Sequence, residues 1–219
     1  MKSKVGQGAI FTHLFITCIN VIGVMKKYLF LLILFSCVSS AYAQSFGLKM
    51  GTSLDVLKKQ MTLKDVGNYG YSTSSPPKGH PSFQRYWMAI TPKHGLCRVC
   101  GFSKKISTNA YGTELKRKFE ELEAALTSKD GTAEKDDFLK SGSIWDKQCD
   151  WMMGLLKNER TLTVYWASGN PVKFPDNIYF IQLVTRALTI EEGYVAVMYS
   201  FNNWNDCDEW IKAQANDAL

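Results

Sequence analysis

The chain predicts an α+β fold, an antiparallel sheet with helices packed mainly on one face, and three observations point there. Five short segments rich in β-branched and aromatic residues, SFQRYWMAI, GLCRVCGFSKKI, RTLTVYWAS, NIYFIQLVTRAL and GYVAVMYSF, are bounded by turn residues and read as strands. Most connections between them are shorter than the roughly dozen residues that a parallel crossover requires. Residues 113–129 carry Leu115, Phe119, Leu122 and Leu126 at helical spacing, so this helix has an apolar stripe that needs a sheet to cover.

The first 43 residues read as export machinery. Met25-Lys26-Lys27, the apolar run YLFLLILF and the Ala-x-Ala of AYA before Gln44 are the three parts of a secretory signal, so the mature chain is expected to begin at Gln44. The earlier apolar run AIFTHLFITCINVIGVM is read as translation from an upstream start, Met1 rather than Met25, with a membrane anchor as the competing reading. A lipid anchor on Cys37 is a further alternative, since Leu34-Phe35-Ser36-Cys37 approaches a lipoprotein pattern in which Phe35 is too bulky. The expected location is periplasmic or secreted, with no transmembrane span in the mature chain.

Removing residues 1–43 changes the charge argument. The formal net charge is +6, and that segment holds four lysines and no acidic residue, which leaves about +2 (6 minus 4) for residues 44–219. The one dense basic cluster, Lys116-Arg117-Lys118, is answered by Glu120, Glu121 and Glu123 on the same helix. No nucleic-acid partner is therefore expected.

Residues 44–219 suit a single α+β domain, with two packed halves, 44–110 and 111–219, as the finer expectation. Each half would hold a helix and about three strands, over 52–106 and 113–201. Thr52-Ser53 can cap a short helix with Leu54, Leu57 and Met61 on one face. Pro76, Pro77, Gly79 and Pro81 mark a loop, Gly131 sits near the C-cap of the long helix, and Gly131 to Ser143 reads as a second loop. Asp206, Asp208 and Glu209 fall in the first turn of a final helix, where negative charge favours the helix dipole.

The run Phe46-Gly47-Leu48-Lys49-Met50-Gly51-Thr52-Ser53-Leu54-Asp55-Val56-Leu57 resembles the start of small exported bacterial proteins of the BamE (SmpA/OmlA) lipoprotein type and of the β-lactamase-inhibitory-protein-like fold. In those families a strand ends at a Gly-x-Ser/Thr turn that caps a helix. The resemblance implies a non-catalytic module that works by protein contact. Met61-Thr62-Leu63 stands here where those families often have Leu-Gly-x-Pro.

GLCRVCGF raises the question of chemistry, because Cys97 and Cys100 have the spacing of thiol redox enzymes and of half a zinc site. A redox pair needs a helix N-terminus to lower the thiol pKa, and this segment has strand character. A zinc site wants a second close pair, whereas Cys149 and Cys207 are isolated. Two structural disulfides suit an exported chain, with zinc and redox chemistry as the alternatives. Residues three apart on a strand face opposite sides, so Cys97 and Cys100 must look elsewhere. Cys97, sharing a face with Val99 and Gly101, is matched to Cys207, which lies on a helical stripe with Trp210, Ile211 and Gln214; Cys100 is left for Cys149.

SIWDKQCDWMMGLL, residues 143–156, supplies the candidate partner-binding residues Trp145, Trp151, Met152 and Met153. Ile144, Gln148, Trp151, Met152 and Leu155 follow helical spacing, which leaves Trp145 and Met153 partly off that face. No complete catalytic constellation, metal site or cofactor motif is read in the chain. Ser141-Gly142-Ser143 lacks the strand-to-helix elbow of a nucleophile. The expectation is a non-enzymatic exported protein that binds another protein, as an inhibitor, immunity or envelope accessory factor. The alternative is a small periplasmic hydrolase drawing on His80, His94 or Asp146 with Asp150.

Overall fold

The computed structural model describes residues 45–167 and 174–217. These belong to one compact unit, Ala43–Leu219. The signal-peptide, upstream-start and Cys37 readings fall outside the described residues.

Among the described residues, four α-helices and nine strands form an α+β architecture. In chain order they are α1 (Leu54–Gln60), β1 (Lys64–Gly67), β2 (Gly70–Thr73), β3 (Phe83–Thr91), β4 (Gly95–Ser103), β5 (Ile106–Ser107), α2 (Thr113–Asp130), β6 (Glu134–Leu139), α3 (Trp151–Leu156), β7 (Arg160–Ala167), β8 (Ile178–Ala187), β9 (Glu192–Phe201) and α4 (Trp204–Asp217). The sheet runs β1-β2-β3-β4-β9-β8-β7-β6, and every pairing is antiparallel. β5 continues the line of β4 along β9, through Ile106 opposite Gly193.

This order shows a repeat of topology. A helix precedes the meander β1 to β4, a helix precedes the meander β6 to β9, and the last strands of the two meanders, β4 and β9, pair with each other. The short connections force antiparallel neighbours within each meander. The second meander is interrupted by α3, inserted between β6 and β7.

Strand alternation sorts the side chains into two faces. On the closed face, Val99 lies opposite Tyr199 and Gly101 opposite Val197, and β7 and β8 add Leu162, Val164, Trp166, Ile181 and Leu183, all buried. Leu115, Phe119 and Leu122 of α2 join that core, as their spacing predicts, while Leu126 is only half-buried. α2 packs on β5, β8 and β9, and α3 on β7 and β8. Trp166 donates its indole N–H to the Gly131 carbonyl at 3.0 Å, which ties β7 to the end of α2. Gly101 is explained by its neighbour: a Cβ there would come within 2.8 Å of the Phe46 ring, which packs edge-on against Tyr86 and Tyr199 at centroid distances of 4.6 and 5.5 Å.

The segment leading into α1 docks on β4, with Gly51 donating to the Leu96 carbonyl at 2.9 Å and Leu96 to that of Thr52 at 3.0 Å. Ser53 occupies the N-cap position without a side-chain cap bond. Helix α4 differs from the other two long-range packers. Its first residue, Trp204, lies with its ring 3.2 Å from the Arg98 guanidinium carbon, and Arg98 projects opposite to its neighbour Val99. α4 therefore begins on the face that α2 leaves open.

Three strands were not foreseen. β6, EKDDFL, occupies part of the segment expected to be loop; β1, KDVG, and β2, GYST, lack an apolar run. β1 and β6 are the two edges of the sheet, where charged side chains oppose pairing with another chain and erase the hydrophobic signal of a strand.

Candidate functional site

The cysteines answer the question raised by GLCRVCGF. Cys97 and Cys207 form a disulfide with α carbons 6.4 Å apart, and both are fully buried. The register explains how Cys97 reaches α4. Ala89 pairs with Arg98 and Ile90 with Leu96, so Cys97 is the extra residue of a β-bulge, which redirects its side chain.

The expected second bridge is absent, since Cys100 and Cys149 are both free. Cys100 alternates with Val99 and lies on the open face, whereas Cys149 sits in an exposed turn before α3, a helix packed into the closed-face core; the sheet lies between them. Burial pushes the Cys100 thiol up to about 12, against a smaller downward pull from Arg98. A thiol held protonated in this way is a poor nucleophile.

The 143–156 stretch divides. Trp151 and Met152 are buried in the core, contrary to a surface role, because the helix starts only at Trp151 and turns both side chains inward. Trp151 lies against Gly112 and under the Lys116 ammonium, 4.4 Å from its ring. Trp145 and Met153 are half-buried. Ile144, expected on the packed face, is 75% exposed, since it precedes any helical turn.

The acid/base candidates do not converge. His80 lies in the β2–β3 loop, where its Nδ1 accepts the Ser82 N–H at 3.2 Å and burial, with Lys118 nearby, lowers its pKa. His94 lies in the β3–β4 turn, with its carbonyl accepting from the Asn203 amide at 3.0 Å. Asp146 and Asp150 belong to the β6–β7 connection. Asp146 lines a charged recess with Lys116, Asp137 and Arg160, where Arg160 and Asp137 form a 3.3 Å ion pair. Among the described residues, no group of three or more His, Cys, Asp or Glu comes together as a metal site, and no helix is long and apolar enough to cross a membrane.

The open face carries large apolar residues that no local sequence signal groups together. Register places Trp87 of β3, Phe102 of β4, Met198 and Tyr194 of β9, Phe180 of β8 and Tyr165 of β7 on it, each only half-buried. Both faces of β3, β4 and β9 are apolar in sequence, so alternation could not say which face a helix covers. At the Arg98 end α4 meets this face. At the opposite end a groove of about 770 Å³ opens, with Phe102, Tyr194 and Leu188 among its walls and Lys64, Arg85 and Lys105 as its charged members.

The groove is held by its own contacts. Phe102 and Tyr194 stack obliquely at 6.0 Å, and the Arg85 guanidinium carbon lies 5.1 Å from the Phe102 ring centroid. Lys105 pairs with Glu192 at 3.2 Å; Lys64 and Arg85 have no carboxylate partner among the described residues. The far edge of the same face has the opposite sign. There β6 presents Glu134 and Asp136 opposite Tyr165 and Thr163, and a hydrogen bond to Glu134 raises the Tyr165 pKa. No family model, curated protein or solved structure matches this chain.

Proposed function

We propose that this chain is a non-catalytic, exported binding module that holds another protein against the open face of its sheet, as an inhibitor, immunity factor or envelope accessory protein would. The observation that carries the reading is the row Trp87, Phe102, Met198 and Tyr194, large apolar side chains left half-exposed on adjacent strands. Aromatic and Met side chains on a rigid sheet offer contact area at low entropic cost, and they are enriched where proteins bind proteins. The separation of His80, His94, Asp146 and Asp150 onto three connections supports binding over hydrolysis. The signal-like residues 25–43, the buried Cys97–Cys207 bridge and the BamE-like run at Phe46 to Leu57 support export.

The test is site-specific photocrosslinking in the producing cell. A crosslinker in place of Trp87 or Met198 is expected to trap one discrete protein partner, and one at Glu120 or Lys129 of α2, away from the open face, is not. Equal trapping from all four positions would refute the assignment of the face.

A further inference from the structure

The groove at the corner of the open face differs from the rest of it in charge, and this difference identifies what part of a partner it takes. Three cations, Lys64, Arg85 and Lys105, come from β1, β3 and the link after β4, and no carboxylate lines the groove among the described residues. Such convergence is not a general basic surface. After the four lysines of residues 1–43 are set aside, 22 Lys and Arg (26 minus 4) stand against 20 Asp and Glu. The positive charge is local, and it is held beside aromatic rings.

We infer that this groove receives an acidic segment of the partner protein, a short stretch with Asp or Glu beside an apolar side chain; this rests on the open face being the binding surface. The carboxylates meet Lys64 and Arg85, which lack a carboxylate partner among the described residues, while the apolar residue packs on Phe102, Tyr194 and the 42% exposed Leu188. Arg85 lies over the Phe102 ring, so its planar guanidinium is held in place before a carboxylate arrives. Lys105 is shared with Glu192 and contributes less. Hydroxyls of Ser72, Ser74 and Ser75 along β2 and its exit offer hydrogen bonds to the segment's backbone. A flat anionic membrane fits poorly, because the cations line a recess. Extended nucleic acid fits poorly too, because the far edge of the same face carries Glu134 and Asp136.

The experiment titrates the full chain with a synthetic acidic peptide containing one Phe and one Leu, and with a control in which every Asp and Glu is amidated, reading tryptophan fluorescence and calorimetry. The acidic peptide is expected to bind at least about tenfold more tightly than the amidated control, and to weaken as salt rises. Arg85→Glu and Lys64→Glu should each reduce its affinity about tenfold or more with an unchanged thermal midpoint, and Asp136→Asn should leave it unaffected. Equal binding of both peptides would overturn the inference. So would binding confined to heparin or to phosphatidylglycerol vesicles, or sedimentation showing that the groove is filled by a second copy. Crosslinked partner capture separates the two proposals: loss in Trp87→Ser with retention in Arg85→Glu and Lys64→Glu refutes the acidic segment alone, whereas retention in all three refutes the face itself.

Discussion

Cys97 of β4 and Cys207 of α4 are joined across 110 residues of chain, with α carbons 6.4 Å apart, so one bond ties the middle of the sheet to the last helix. Closing so long a loop in the unfolded state stabilises the fold by about 2 to 5 kcal/mol. Cys207→Ala is expected to lower unfolding free energy by that amount in denaturant titration. Non-reducing peptide mapping is expected to return Cys97 linked to Cys207, with Cys100 and Cys149 as thiols; a Cys97–Cys100 link would overturn the assignment.

The two free thiols should differ sharply in reactivity. Cys149 is exposed in its turn, while burial raises the Cys100 pKa to about 12. Iodoacetamide at neutral pH is expected to modify Cys149 at the rate of a solvent-exposed thiol and Cys100, half-buried with a raised pKa, far more slowly. Comparable rates at the two sites would count against the position of Cys100 within the sheet.

Alkaline pH should destabilise the fold. Burial raises Cys100 from 9.0 to about 12 and raises Tyr199 above its ordinary 10.0, so the folded chain keeps protons that the unfolded chain releases. The stabilisation from these groups is complete below the unfolded values and is lost as pH rises toward the folded ones. Urea midpoints are expected to fall from about pH 9 upward. Cys100→Ala should flatten part of that slope.

Gly112 initiates α2 at φ +70°, and a Cβ there would overlap the ring of Trp151. Gly112→Ala combines left-handed strain with a clash that a core indole cannot easily yield to, and the strain alone costs about 1 to 3 kcal/mol. A thermal melt should show a clear fall in midpoint. Gly142→Ala, at φ +79° with nothing near its Cβ, isolates the strain from the clash and should cost less.

The candidate surface was harder to read from sequence than the fold. The stretch around Trp151 drew attention because a dense run of Trp and Met stands out in one dimension, yet α3 turns Trp151 and Met152 into the core. Trp87, Phe102, Tyr194 and Met198 are scattered over more than a hundred residues and meet only because β4 pairs with both β3 and β9. The Lys64, Arg85 and Lys105 groove has the same origin.

Local physics, the β-branched and aromatic character of five turn-bounded segments, their short connections and the spacing of Leu115, Phe119 and Leu122, was sufficient to determine an antiparallel α+β fold and one helix against a sheet, because those signals act between near neighbours in the chain. The Cys97–Cys207 pairing expected from sequence is present, but a bulge in β4 seated against β3, rather than strand parity with Val99 and Gly101, steers Cys97 toward α4. Tertiary structure alone decided the central β4–β9 pairing, the edge strands β1 and β6, and the choice of which apolar face stays open. Each of these depends on partners far away in sequence, and a strand with two apolar faces does not encode which one a helix will cover.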